Sequence, residues 1–406
     1  MDLIALSKNS TKKIYFALLF FFLNFQIISL AQLSDSGSSI RFYHFFILLT
    51  PLFFTKEFIK SIFTFNVTIL YFISTLLTLL FSALNFGLNK YSTQLFFSYF
   101  IYLAGYSICL KFGMPHCLYI IKKILLFIFS LHVLKLLFFW NKIIFNFYDN
   151  ITEILFMYSG GPNIEASWLA LFLVFFFNDS KFKILFLISL FTSIVYASRS
   201  AFIILFIILF FKLLVIEKSK LLKIKYIAIT SLCLILISFF ALSNLESVFF
   251  ISRLQSTGQE DDGSLLRRLT FLAAGIEAIN NNILGYGPGN SFKQITDIIG
   301  KEFSENNVHN IYLQIALDSG VHSLIFFFLI IISVIFHERK IKFKSNLGIL
   351  FICYWVISLL QFTSYEAIVW FLLGIYFAGK EPYFHKSPTL IHNKQLIKKN
   401  AFEFSI

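Results

Sequence analysis

Charge is scarce in this sequence. Only 14% of its 406 residues are Asp, Glu, Lys or Arg, against roughly 25% in a soluble globular domain, so a soluble fold is excluded. Cysteine is scarcer still. Cys109, Cys117, Cys233 and Cys353 show neither metal-ligand spacing nor the clustering of a disulfide framework. Each falls within or at the edge of an apolar run, where a thiol packs as a small apolar group. Glu260-Asp261-Asp262-Gly263 is acidic but lacks the alternating oxygen ligands of a calcium loop, so no metal site is expected. Internal repeats are absent, and so is the inverted symmetry that many transporters carry.

Hydrocarbon fills the chain instead. Hydrophobic residues make up 58% of it and mean hydropathy is +0.80. The runs at 16–23, 184–190, 201–211 and 324–336 hold no charged side chain, and each sits in a window approaching the ~20 residues of a spanning helix. Such a helix satisfies all its backbone donors and acceptors internally, which is why it can cross lipid. The 57 phenylalanines reflect A/T-rich coding DNA at lipid-facing positions rather than cofactor stacking.

The sequence predicts an all-α, polytopic integral membrane protein with about 12 transmembrane helices and a large periplasmic loop carrying short helices. The spans run roughly over 14–33, 41–55, 62–84, 94–110, 117–140, 164–178, 182–198, 200–216, 224–243, 319–337, 347–363 and 366–379. Lys12 and Lys13 followed by the apolar stretch from Ile14 resemble a signal peptide, but the stretch is long for one, and it is read as an uncleaved first span. With the N-terminus inside, 24 of the 34 basic residues fall on inner segments or the adjoining span ends. Positive residues collect on the cytoplasmic side, so both termini are read as cytoplasmic. The net charge of +13 is thereby a matter of topology, and no nucleic-acid partner is implied.

This threading divides the chain into nine helices over 1–243, a periplasmic loop over 244–318, three helices over 319–379 and a basic cytoplasmic tail over 380–406. The long loop has amphipathic stretches at 265–279 and 311–317 and is read as folded against the membrane. Loops of this length are usually functional or disordered.

Once basic residues are sorted to the inside, the outer ones become informative. Arg199 lies in Ser198-Arg199-Ser200 between two spans. Arg267 and Arg268 open the first amphipathic stretch, with Arg253 upstream. His309 lies in Val308-His309-Asn310 just before the chain re-enters the membrane, and Glu366 sits at the last outer turn. Taken singly, an arginine at a membrane boundary caps a helix or pairs with lipid phosphate, and a histidine at a helix start is ordinary. Together they occupy one face of the membrane, the face with the large loop. Arginine grips phosphate bidentately and a neutral histidine takes a proton from a hydroxyl near pH 7. The set suits a substrate carrying a diphosphate and sugar hydroxyls.

Four segments resemble the bacterial O-antigen polymerase and O-antigen ligase family. They are Gly161-Pro162-Asn163-Ile164-Glu165-Ala166-Ser167-Trp168; Ala197-Ser198-Arg199-Ser200-Ala201; Arg267-Arg268-Leu269-Thr270-Phe271 with Gly285-Tyr286-Gly287-Pro288-Gly289-Asn290; and Val308-His309-Asn310-Ile311-Tyr312-Leu313-Gln314 with Asp318-Ser319-Gly320. The resemblance runs from about Gly160 to the last span, while the first 140 residues match only in hydropathy. Phe271 and Asn282 depart from the family's frequent Trp and Pro, and neither change removes a charge.

The resemblance implies a metal-independent, cofactor-free glycosyltransferase of the bacterial inner membrane. Its donor would be an undecaprenyl-diphosphate-linked oligosaccharide, and a chain-length regulator protein a further partner beside the lipid bilayer. Arg199, Arg267 and Arg268 would hold the diphosphate, His309 would act on the acceptor hydroxyl, and Glu366 or Glu165 would orient the acceptor. The short tail, the Phe/Ile bias and the weak N-terminal similarity favour a polymerase, with a ligase acting on lipid A–core as the alternative. A lipid-linked oligosaccharide flippase is the rival from another class. Against it, the spans carry no buried acid or base of the kind that marks a transport path, apart from His132 and Lys135, and Lys135 is expected to snorkel to the interface.

Overall fold

The computed structural model describes residues 2–26, 29–32, 39–85, 90–145, 154–158, 161–213, 263–301, 308–341, 345–362 and 366–380. It is helical throughout, apart from one small hairpin. Helix α1 (Asp2–Asn24) leads to the antiparallel pair β1 (Ser29–Gln32) and β2 (Ser39–Arg41). Then come α2 (Phe42–Phe53), α3 (Thr55–Phe63), α4 (Val67–Asn85), α5 (Lys90–Phe112), α6 (Met114–Phe138) and α7 (Trp140–Phe145). The second half has α8 (Gly161–Phe172, continued as a 3₁₀ turn to Phe176), α9 (Phe182–Val195), α10 (Arg199–Phe211), α11 (Gly263–Asn281), α12 (Ser291–Ile299), α13 (Ile311–Lys340), α14 (Asn346–Ile357) and α15 (Ala367–Gly379).

The span count differs from the expectation of about twelve. Among the described residues, four helices are long and apolar enough to cross a membrane: Val67–Asn85, Gln94–Phe112, Met114–Phe138 and Ile311–Lys340. The other apolar runs form shorter helices of 10–17 residues, such as Phe42–Phe53, Phe182–Val195 and Asn346–Ile357. At about 1.5 Å per residue these reach well short of a ~30 Å hydrocarbon core. Local breaks explain the difference. The run at 41–55 holds Pro51 and is divided at Phe54. The run at 14–33 ends as helix at Asn24 and turns into the hairpin. The segment 224–243 lies outside the described residues.

In α8, α14 and α15 apolar composition serves burial within the protein, whereas α2, α9 and α10 also expose large apolar side chains such as Leu48, Leu187 and Phe206. Every described residue of α15 from Ala367 to Tyr376 is buried, as befits a helix that is hydrophobic all round. Two glycines make that burial fit. A Cβ on Gly374 would stand 2.2 Å from the Tyr102 carbonyl oxygen, and one on Gly105 would stand 2.1 Å from that of Phe371. Helices α5 and α15 therefore approach backbone to backbone, the way small residues let membrane helices pack.

Helices α4 and α13 are joined by polar side chains. Ser74 Oγ and Ser323 Oγ lie 2.7 Å apart, Thr78 Oγ1 donates to the Ser319 carbonyl at 2.8 Å, and His322 Nε2 lies 3.0 Å from Thr78 Oγ1. Interhelical bonds of this type are worth about 0.6 kcal/mol each inside a membrane. Helix α13 is itself divided at Gly320, whose φ of 82° and ψ of 161° leave the helical region. Beside it the amphipathic α11 and α12 build a second, smaller core from Phe271, Ala278, Ile295, Leu313 and Leu317.

Candidate functional site

The break at Gly320 frees carbonyls that a helix would otherwise use. The Gly-x-Gly turn fills that need: Tyr286 N donates to the Leu317 carbonyl at 2.8 Å and Gly287 N to that of Asp318 at 3.0 Å, while Val321 N donates to the Ile283 carbonyl at 3.0 Å. Glycine is required here on two counts. Gly285 and Gly287 have φ of 89° and 85°, and a Cβ on Gly285 would meet Gly320 N at 2.5 Å. Ser291 Oγ donates to the buried Asp318 carboxylate. The Tyr286 hydroxyl donates to the Ala278 carbonyl at 2.8 Å, and burial raises that phenol above its ordinary range. The motif is thus a clasp that locks α11 onto the first half of α13.

Arg267 and Arg268 sit in the first turns of α11, the first exposed and the second half-buried. Phe271, one turn on, is fully buried against Phe292 with ring centroids 5.3 Å apart. That anchor fixes the arginine-bearing turn. His309 immediately precedes the cap of α13: Asn310 Oδ1 accepts from Tyr312 N and Leu313 N, each at 3.0 Å. His309 is half-buried and takes φ of 52°, a left-handed conformation in which histidine is among the enriched residues.

Arg199 is the first residue of α10, and this corrects the ordinary reading of it as a helix C-cap. At a helix N-terminus its charge opposes the macrodipole, whereas an anion there is favoured. The turn is held tightly. Ser198 Oγ caps α10 by accepting from Ala201 N, and it donates to the Asn163 carbonyl, both at 3.4 Å; Ser167 Oγ and Ser200 Oγ are 3.0 Å apart. Ala197 is forced to a φ of 47°.

A chain of contacts brings these elements to one end of the bundle. Ile311 N donates to the Ser358 carbonyl at 3.0 Å, tying the start of α13 to the end of α14. Tyr354 of α14 stacks on Trp168 of α8 at 5.9 Å, and Trp168 meets Phe362 at 5.4 Å. Helix α8 carries the Arg199 turn through Asn163 and Ser167. Glu366 begins α15 at the same end, half-buried, and its charge acts on the hydroxyls of Tyr43, Tyr158 and Tyr354. The opposite end holds the cations at the start of α9 and the ends of α10, α13 and α15, with Lys212 donating to the Phe177 carbonyl.

Glu165 points inward. Its side chain is fully buried, Met157 N donates to Oε2 at 2.6 Å, His132 Nδ1 lies 2.8 Å from Oε1, and Lys135 pairs with the same oxygen. Lys135, expected to snorkel, is instead 9% exposed within this cluster. His132 Nε2 is 2.8 Å from Thr192 Oγ1, whose proton goes to the Ile188 carbonyl at 2.8 Å. A buried acid–base cluster is therefore present, so the scarcity of intramembrane acids and bases no longer tells against a transport path. The signal was the i, i+3 spacing of His132 and Lys135, which puts both on one helix face; the partner on α8 had no local signal. Nothing local in the sequence singles out Arg41 either. Its Nη1 donates to Gln26 Oε1 at 2.7 Å, and its charge acts on Tyr43 together with that of Glu366.

Among the described residues no group of three His, Cys, Asp or Glu side chains is placed to hold a metal ion. No curated protein matches the chain. A family model described as O-antigen ligase matches residues 184–328, a stretch that contains Arg199, Arg267, Arg268 and His309 and excludes Glu165 and Glu366. From α9 to just past the Gly320 break, this multi-pass membrane chain is similar to the O-antigen ligase family.

Proposed function

We propose that the chain transfers a glycan from undecaprenyl diphosphate to lipid A–core at the periplasmic face of the inner membrane. The observation that supports this reading is the family match over the segment that contains Arg199, Arg267, Arg268 and His309, with α8, α10, α13 and α14 linked at one end of the bundle. The acceptor hydroxyl oxygen attacks the anomeric carbon, the bond from that carbon to the diphosphate oxygen breaks, and undecaprenyl diphosphate leaves with the bonding electrons. His309 takes the hydroxyl proton. Arg199 holds the diphosphate equally before and during the step, whereas Arg267, supported by Arg268, stabilises the charge that grows on it as it leaves and accelerates the step to the extent that it holds the diphosphate more tightly in the transition state.

The matched family is described as a ligase, which supports lipid A–core over a second lipid-linked repeat and reverses the order in which the sequence ranks the two. A strain lacking the gene should show bare core on a lipopolysaccharide gel while lipid-linked polymer accumulates. One repeat on core would indicate a polymerase, and retained single repeats on the carrier a flippase; either result overturns the ligase reading.

The orientation is supported by charge. Lys181 and Lys183, Lys212, Arg339 and Lys340, and Lys380 all stand at the end opposite the candidate site, as the positive-inside rule requires of a cytoplasmic face. Both termini are accordingly cytoplasmic, 244–318 lies in the periplasm and 380–406 is a cytoplasmic tail. A membrane-impermeant maleimide added to intact spheroplasts should label Asn290→Cys. Labelling that requires permeabilised cells would reverse the orientation and remove the periplasmic reaction.

A further inference from the structure

We infer that Glu165 and Lys135 form a buried positioning pair that sets the Arg199 turn for the donor diphosphate, an inference that rests on the Arg199 role proposed above. Glu165 has no exposed surface, so it reaches neither acceptor nor donor. Its oxygens are engaged by Lys135 and His132 of α6 and by the Met157 amide. Those contacts fix α8 against α6 at the turn of α8 that supports α10. Two residues before Glu165, the Asn163 carbonyl accepts from Ser198 Oγ; two residues after it, Ser167 Oγ meets Ser200 Oγ. Arg199 lies between these two attachment points. The cluster reaches the turn from its other side as well. Thr192 of α9, the partner of His132, lies at the end of the helix that runs into Ala197. Lys135 Nζ stands 5.4 Å from the Tyr196 ring centroid.

The left-handed Ala197 adds weight. A non-glycine residue at a φ of 47° persists only where its surroundings over-determine it. The surroundings here are the serine bonds above and the charge cluster beneath them. A buried ion pair seldom adds net stability over an apolar pair of the same shape, and its best-attested use is to specify one arrangement. That arrangement, in this chain, is the turn over 197–200 that carries Arg199.

The test is a cycle on protein reconstituted in vesicles, with undecaprenyl-diphosphate-linked glycan as donor. Lys135→Met/Glu165→Gln leaves no unpaired buried charge and so avoids the folding loss expected of either single change. This double variant should raise the donor KM about tenfold with kcat at saturating donor retained, because mispositioning Arg199 removes binding common to ground and transition states. Arg199→Ala should raise KM similarly, and the triple variant should be no worse than Arg199→Ala alone, since pair and arginine act as one unit. Lys135→Arg, which keeps the charge opposite Glu165, should hold the donor KM near the native value. A purely structural role would instead lower the amount of competent enzyme, and hence the maximal rate, at unchanged KM. That pattern, or additive effects in the triple variant, overturns the inference.

A second readout is independent of turnover. With Cys109, Cys117, Cys233 and Cys353 replaced, the maleimide labelling rate of Arg199→Cys should change severalfold when the pair is removed. Should the native protein transfer no glycan from this donor, the proposed function fails and labelling alone decides. An unchanged rate then rejects the positioning pair, and a severalfold change upholds it.

Discussion

Replacing His309 should slow glycan transfer by roughly 10²–10⁴-fold, the usual worth of general-base assistance, without reducing membrane insertion or donor binding. The choice of variant follows from the backbone. His309 stands at φ 52°, where alanine adds strain of order 1 kcal/mol and so mixes a folding effect with a chemical one. Asparagine visits this region readily and cannot accept the proton, so His309→Asn isolates the chemistry. The neighbouring Asn310 cap of α13 is untouched by the change. His322→Ala provides the contrast: it removes a contact to Thr78 between α4 and α13 and should lower stability by about 1 kcal/mol or less with little change in rate. Native-rate transfer by His309→Asn would reject the base. Lost donor binding would make His309 a diphosphate ligand and move the base elsewhere at this end of the bundle.

Arg267→Ala should reduce transfer by about 10²–10³-fold, comparable to removing one donor from an oxyanion site. Arg267→Lys should keep only part of the activity, because an ammonium retains charge and loses the planar fork. Phe271 and Phe292 anchor the helix independently of the arginine, so the alanine variant should fold normally. Arg268→Ala is the control for register, since α11 exposes Arg267 while half-burying Arg268. Full activity of Arg267→Ala at a native protein level would remove this residue from the phosphate site.

The candidate residues were legible because membrane sequences sort charge. Under the positive-inside reading, Arg199, Arg267 and Arg268 fall on the side expected to be poor in cations, and His309 lies just before the chain re-enters the membrane. The amphipathic stretch at 265–279 was legible for a similar reason: its polar face interrupts an otherwise apolar chain, and it lies inside α11. Span number was not legible. Window hydropathy measures how apolar a stretch is and not whether it goes through lipid or through the protein's own core, and α15, buried on all sides, reads the same either way. The division at Gly320 depends on a contact distant in the chain, that of the Gly285 backbone, whereas the one at Phe54 follows Pro51. Glu165 illustrates the same limit. Sequence placed it near the site, but only the fold shows that Lys135, thirty residues earlier, takes its charge inward.

The most direct test is transfer by the purified protein in vesicles that contain undecaprenyl-diphosphate-linked glycan and lipid A–core, with no nucleotide sugar. Glycan should appear on lipid A–core, one undecaprenyl diphosphate should be released per glycan moved, and His309→Asn vesicles should release almost none. Glycan that stays on its carrier in the presence of native protein, or that crosses the bilayer still attached to it, would contradict glycan transfer as the function of this chain.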